Sequence, residues 1–136
     1  MPLMTLAITF ISGVAAFLLG QYALKLVIEP LLALRAHIGT IGCQLIYFAD
    51  SFSREDLAPS IRQEFRKSAS RLVELAYGPI LYSLVHKWFC LPSISQVMEA
   101  ASQLIGLSNT LGSITPDDPK EQRIMRIREL LGLPLL

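Results

Sequence analysis

The chain has 136 residues, 52% hydrophobic and 17% charged, with mean hydropathy +0.48 and formal net charge +1. That length suits one domain, and its hydrophobic content excludes a disordered chain. Twelve basic residues against eleven acidic ones argue against a nucleic-acid binder working by bulk charge, and two cysteines cannot make a disulfide scaffold.

The hydrophobic excess is concentrated near the N-terminus. From Leu3 to Leu24 there is no Lys, Arg, His, Asp or Glu. As a helix those 22 residues span roughly 33 Å, enough for a hydrocarbon core of about 30 Å. Thr5, Thr9 and Ser12 are tolerable there because hydroxyls bond back to carbonyls of the preceding turn. Gln21 and Tyr22 mark the interface, and Lys25 can snorkel. The alternatives are a buried soluble helix or a cleaved signal peptide. The latter normally has a basic start and a shorter apolar stretch, although Gly13-Val14-Ala15 offers a cleavage-like triplet. Lys25, Arg35 and Arg54 all follow the segment, so the expected orientation is N-terminus outside and the remainder cytoplasmic. Cys43 and Cys90 as reduced thiols fit that compartment. Ser12, Ala16 and Gly20, with Gly13 alongside, form a small-residue face suited to close helix packing in lipid.

Pro30 predicts a kink or short break at the membrane exit. Beyond it Leu31, Leu34, Ile38, Ile41, Leu45, Phe48 and Phe52 recur at alternating spacings of 3 and 4, the pattern of a helix packed lengthwise on another. Gly39, Gly42, Cys43 and Ala49 flank this stripe and permit a close neighbour. Only 14 residues separate Arg35 from Asp50, short of the roughly 20 a second span needs. A buried helix near the membrane is the better reading, with a re-entrant or interfacial segment as the alternative.

Ser53-Arg54-Glu55-Asp56 reads as a helix start, with Pro59 opening the regular helix. Ile61, Phe65, Ala69, Leu72 and Ala76 form its apolar stripe, and Gly78-Pro79 ends it. The segment from Ile80 to Leu91 is apolar nearly all round. It reads as a helix that is buried, or that lies against lipid with Lys87 and Trp88 near the headgroups. Ser93-Ile94-Ser95-Gln96 fits a capping box, followed by Ile94, Val97, Ala101, Leu104, Ser108 and Leu111, with a helix end at Asn109 and Gly112. Thr115-Pro116-Asp117-Asp118-Pro119 reads as a turn or linker. Ile124, Ile127, Leu130 and Leu131 then give a short amphipathic helix ended by Gly132-Leu133-Pro134.

The expected fold is all-α: one N-terminal transmembrane helix, then a cytoplasmic antiparallel bundle of four to five helices. Its parts are an anchor at 1–28, a bundle at 29–112, and a linker with a short C-terminal helix at 113–136.

Chemistry finds little support. His86 and Cys90 share a helical spacing of four, but no orienting third group is visible, so a core cysteine and an interfacial histidine are expected. His37 and Cys43 are poorly spaced for a metal, and no zinc-ligand, nucleotide-binding or hydrolase motif occurs. Glu64, Glu74 and Glu99 look like solvated or ion-paired carboxylates. Lys25, Arg62, Arg66, Lys67, Lys87 and Trp88 are candidates for lipid headgroup contact, against an ordinary solvated face. Arg71 adds to the basic cluster, and Arg123, Arg126 and Arg128 either dock on a partner or cap the bundle.

The layout resembles small single-span bacterial membrane proteins with a cytoplasmic helical domain. The likeness rests on the anchor, on Ile46-Tyr47-Phe48-Ala49 and on Leu104-Ile105-Gly106-Leu107-Ser108-Asn109. It implies a fold and an inner-membrane location, and carries no catalytic residues. The expected function is a non-enzymatic membrane-anchored interaction module, a homo-oligomer or an accessory subunit of a membrane complex. Membrane lipids and a second copy or another membrane protein are its expected partners, with no cofactor, nucleic acid or small-molecule substrate. The alternative is a homo-oligomeric pore-forming or membrane-perturbing effector, with Thr5, Thr9 and Ser12 wetting the channel.

Overall fold

A computed structural model of the chain describes residues 1–49, 56–79, 81–111 and 119–134, and every regular element among them is helical. Helix α1 (Pro2–Ala23) starts with its proline in the first turn, where the missing N–H is harmless. The Thr5, Thr9 and Ser12 hydroxyls donate to the carbonyls of Met1, Thr5 and Thr9 at 3.2, 2.9 and 3.0 Å, so the sequence expectation for these groups holds. No residue of α1 is buried. Helix α1 is therefore not part of this chain's own core, and it is long and apolar enough to cross a membrane.

Of the kink or short break expected at Pro30, the break does not occur. The chain passes through a π-helical turn (Leu24–Ile28) into α2 (Glu29–Tyr47), in which the Glu29 N–H donates to Leu24 O, five residues back. A proline ring clashes with the carbonyl four residues before it and offers no N–H. Widening the preceding turn by one residue shifts those carbonyls and leaves Pro30 in the first turn of α2, where it is tolerated. The result is a continuous helix from Pro2 to Tyr47.

Helix α2 buries Leu31, Leu34, Ile38, Ile41 and Leu45, with Phe48 half-buried after its end. The Phe52 position and most of the Ser53–Asp56 helix-start signal lie outside the described residues. Helix α3 (Ala58–Tyr77) carries Pro59 in its first turn and buries Ile61, Phe65, Ala69, Leu72 and Ala76, the stripe read from the sequence. Edge-to-face packing of Phe48 on Phe65, with centroids 6.1 Å apart, joins the two helices. His37 Nε2 also donates to Ser68 O at 2.9 Å, while Ser68 Oγ donates to Gln44 Oε1 at 2.7 Å.

Past Gly78-Pro79 the expected long apolar helix is replaced by one helical turn, α4 (Tyr82–Val85), and a series of turns. Pro92 disfavours helical geometry at Leu91, and Cys90 adopts a left-handed φ of 53°. Leu91 N–H then closes onto His86 O at 2.9 Å, and the buried Tyr82 hydroxyl donates to Pro92 O. The second capping box forms as expected: Ser93 Oγ accepts from Gln96 N–H, and Gln96 Oε1 accepts from Ser93 N–H.

Helix α5 (Ile94–Thr110) buries Val97, Ala101, Leu104 and Ser108, with Leu111 buried just beyond its end. Gly112 and the residues of the 115–118 turn lie outside the described residues. Helix α6 (Lys120–Leu131) buries Ile127, Leu130 and Leu131, which join the same core as α2, α3 and α5. It ends in a Schellman closure: Gly132 sits at φ 67°, its N–H reaches Glu129 O, and the Leu133 N–H reaches Arg128 O at 2.8 Å. That reversal sends Leu133 against α2 at Gly42, where an added Cβ would lie 3.1 Å from a Leu133 methyl.

Candidate functional site

Among the described residues the candidate groups His37, Cys43, His86 and Cys90 are not brought together. His86 donates from Nδ1 to Tyr82 O at 2.9 Å and stacks on the Tyr82 ring, so its position is explained by that turn. Cys90 is exposed rather than in the core, because the chain leaves helical geometry before reaching it. Cys43 is exposed too, and His37 is engaged with Ser68. Among the described residues no group of three or more His, Cys, Asp or Glu is close enough to hold a metal ion. Burial pushes the Tyr82 phenol up to about 12, which suits a structural hydrogen-bond donor.

Several charged residues serve the fold. Arg62 donates from Nε to Ser108 O and from a terminal nitrogen to Leu111 O, both at 3.0 Å. These carbonyls belong to the end of α5, where they lack helical partners, so this half-buried arginine acts as a C-terminal cap. Arg66 reaches Asn109 Oδ1 at 2.9 Å. The structure thus gives these two headgroup candidates a role between α3 and α5. Lys25, Lys67, Lys87 and Trp88 remain exposed.

Arg71 pairs with Glu74, and Arg126 bridges Glu99 and Glu129. Donating to Glu99, and then to Glu129, raises the Arg126 pKa above its ordinary value. Arg123 crosses α5 at Gly106 to reach Gln103 Oε1 at 3.0 Å, where any side chain at 106 would displace it. Arg128 donates to Pro134 O.

What remains open is surface. The face of Ser12, Gly13, Ala16 and Gly20 is exposed, and a Cβ added to either glycine meets nothing within 4 Å. The stripe from Leu31 to Leu45, by contrast, is buried inside the chain's own core. A second row on α2, of which the sequence reading named only Gly39 and Cys43 as flanks, faces outward: Leu32, Ala36, Gly39, Cys43 and Ile46 are exposed, at spacings of 4 and 3. Its far end forms an apolar recess of about 200 Å³ with Gly42 and Leu133. Comparison with protein-family models, characterised proteins and solved structures found no match.

Proposed function

We propose that the chain is a single-span protein of a bacterial inner membrane, with its N-terminus outside and an antiparallel helical domain in the cytoplasm. That domain works as a non-enzymatic interaction module, either in a homo-oligomer or as an accessory subunit of a membrane complex. The observation that carries this reading is α1: 22 residues, almost all apolar, without one buried side chain. Such a surface is stable in lipid and unfavourable in water. The packing of Phe48 on Phe65 and of His37 on Ser68 supports opposite directions for α2 and α3. The basic residues Lys25 and Arg35, both after α1, support the orientation.

Because the Leu31–Leu45 stripe is occupied within the chain, the unfilled small-residue face of α1 and the outer row of α2 are the surfaces left for a partner. The hydroxyls of Thr5, Thr9 and Ser12 donate to their own backbone, which favours a lipid-facing or helix-facing anchor over a water-lined pore. Alkaline extraction of membranes is the test. The full chain is expected to stay in the pellet while a chain lacking residues 1–24 is released; release of the full chain would overturn the anchor.

A further inference from the structure

We infer that the turn between α3 and α5 is a second membrane contact, a foot that rests on the headgroup layer beside the exit of α1. This rests on the reading of α1 as a membrane span. Tyr77, Leu81, Leu84 and Trp88 are all exposed along this turn, Trp88 and Leu84 at 88% and 68%. Lys87 is exposed beside them. The inward side of the same turn is anchored: Pro79, Tyr82 and Leu91 are buried, and Val85 and Phe89 pack against the core. The outward row is therefore held in place rather than free to fold away from water.

The register of α2 and α3 sets the height of this row. Ser68 bonds both His37 and Gln44, which puts it level with the middle of α2, near Thr40. From Ser68 to Tyr77 is nine residues, roughly 14 Å of helix. The same distance back along α2 reaches Leu31. Burial agrees independently: Leu31 is 1% exposed and Val27 packs on the core, whereas every residue from Met1 to Leu26 is exposed.

The turn that follows Tyr77 thus lies at the end of the bundle where coverage of the long helix stops. Lys25 and Tyr22, which mark the membrane surface, lie six and nine residues further along, roughly 9 and 14 Å of helix. The headgroup layer is itself about 5–7 Å thick on each side of the hydrocarbon. A lipid surface is the occupant this chemistry fits, since Trp, Tyr, Leu and Lys together are what the interface accommodates. Lys25 and Lys87 are the basic residues facing this surface, with Glu29 beside Lys25 and Glu74, paired to Arg71, one turn before Tyr77.

Trp88 is the only tryptophan, so the full chain carries its own probe. It is reconstituted in vesicles of phosphatidylcholine and phosphatidylglycerol, with bromine placed either high or deep on the acyl chains. The expected result is a roughly twofold loss of emission with the high bromines, a smaller loss with the deep ones, and protection from aqueous iodide. A Trp88→Phe chain carrying Tyr22→Trp reports the helix exit separately. If that indole is quenched by brominated lipid while Trp88 stays bright and open to iodide, the span stands and the foot is overturned. Protection of Trp88 from iodide without lipid quenching means a protein covers it, which also overturns the foot. Chains that fail to float with the vesicles overturn both readings.

Discussion

Helices α1 and α2 form one continuous helix of 46 residues, yet its two halves live in different surroundings. In α1 apolar side chains lie on every face and none is buried by the protein. In α2 they form a stripe, and that stripe is covered: Leu34 is 0% exposed, while Leu32, two residues away on the same helix, is 53% exposed. Helical continuity therefore does not imply continuity of environment. The all-round apolar surface of α1 suits the lipid environment proposed for it, whereas the one-sided surface of α2 recruits α3 and the rest of the core.

Charges separate the halves most sharply. Val14→Arg combined with Leu18→Arg is expected to cost about 2.5–3.5 kcal/mol per charge for insertion near the middle of a span, and to move the protein out of the membrane fraction. Ala36→Arg, on the outer row of α2, should leave both fractionation and melting temperature unchanged. Within α2 the two faces differ next. Leu34→Ala is expected to destabilise the domain by about 2–5 kcal/mol, and Leu32→Ala to fall within about 0.5 kcal/mol of the parent, as read by denaturant unfolding in detergent.

Patterns carried by neighbours in sequence were the legible part of this molecule. The long apolar N-terminal helix, the Leu31–Leu45 and Ile61–Ala76 stripes, the Ser93–Gln96 capping box and the Gly132 stop all follow from local spacing. The π turn was not legible, because Pro30 signals only that a regular turn is obstructed and not how the backbone accommodates it. The 80–91 segment misled for a related reason. Its composition suits a helix, but Pro79 and Pro92 bracket it, and the Tyr82 hydroxyl ties its two ends together.

The arginine roles depend on contacts between distant segments. Arg62 caps carbonyls 46 and 49 residues away, and charge patterning along one helix contains no trace of that. For the same reason the surfaces left open on α1 and α2 could be named only after the core had been filled.

The glycines of α2 offer a finer contrast. A Cβ at Gly42 would lie 3.1 and 3.4 Å from the Leu133 methyls, whereas one at Gly39 meets nothing within 4 Å. Gly42→Val is expected to destabilise by about 1–3 kcal/mol through overpacking. Gly39→Ala should stabilise by up to about 1 kcal/mol, as alanine does in an unobstructed helix interior. Thermal melts of the two variants should shift in opposite directions.

Tyr82 supplies a pH-dependent effect. Its phenol is raised from 10.0 to about 12 by burial, so the unfolded chain loses this proton first as pH rises. The stability it contributes is complete below about pH 10 and is lost between about 10 and 12. Tyr82→Phe is expected to flatten that part of the alkaline stability profile, and to cost about 1 kcal/mol at neutral pH for the lost hydrogen bond to Pro92 O.

Cysteine accessibility in intact membranes addresses the division of the long helix directly. Cys43 is exposed on α2, and Val14 lies near the middle of α1. With a membrane-impermeant maleimide, Cys43 is expected to react only when the cytoplasmic face is opened. Val14→Cys, in a chain with Cys43→Ser and Cys90→Ser, is expected to react from neither side. Labelling of the Val14→Cys thiol from water on either face, in folded protein, would contradict the account.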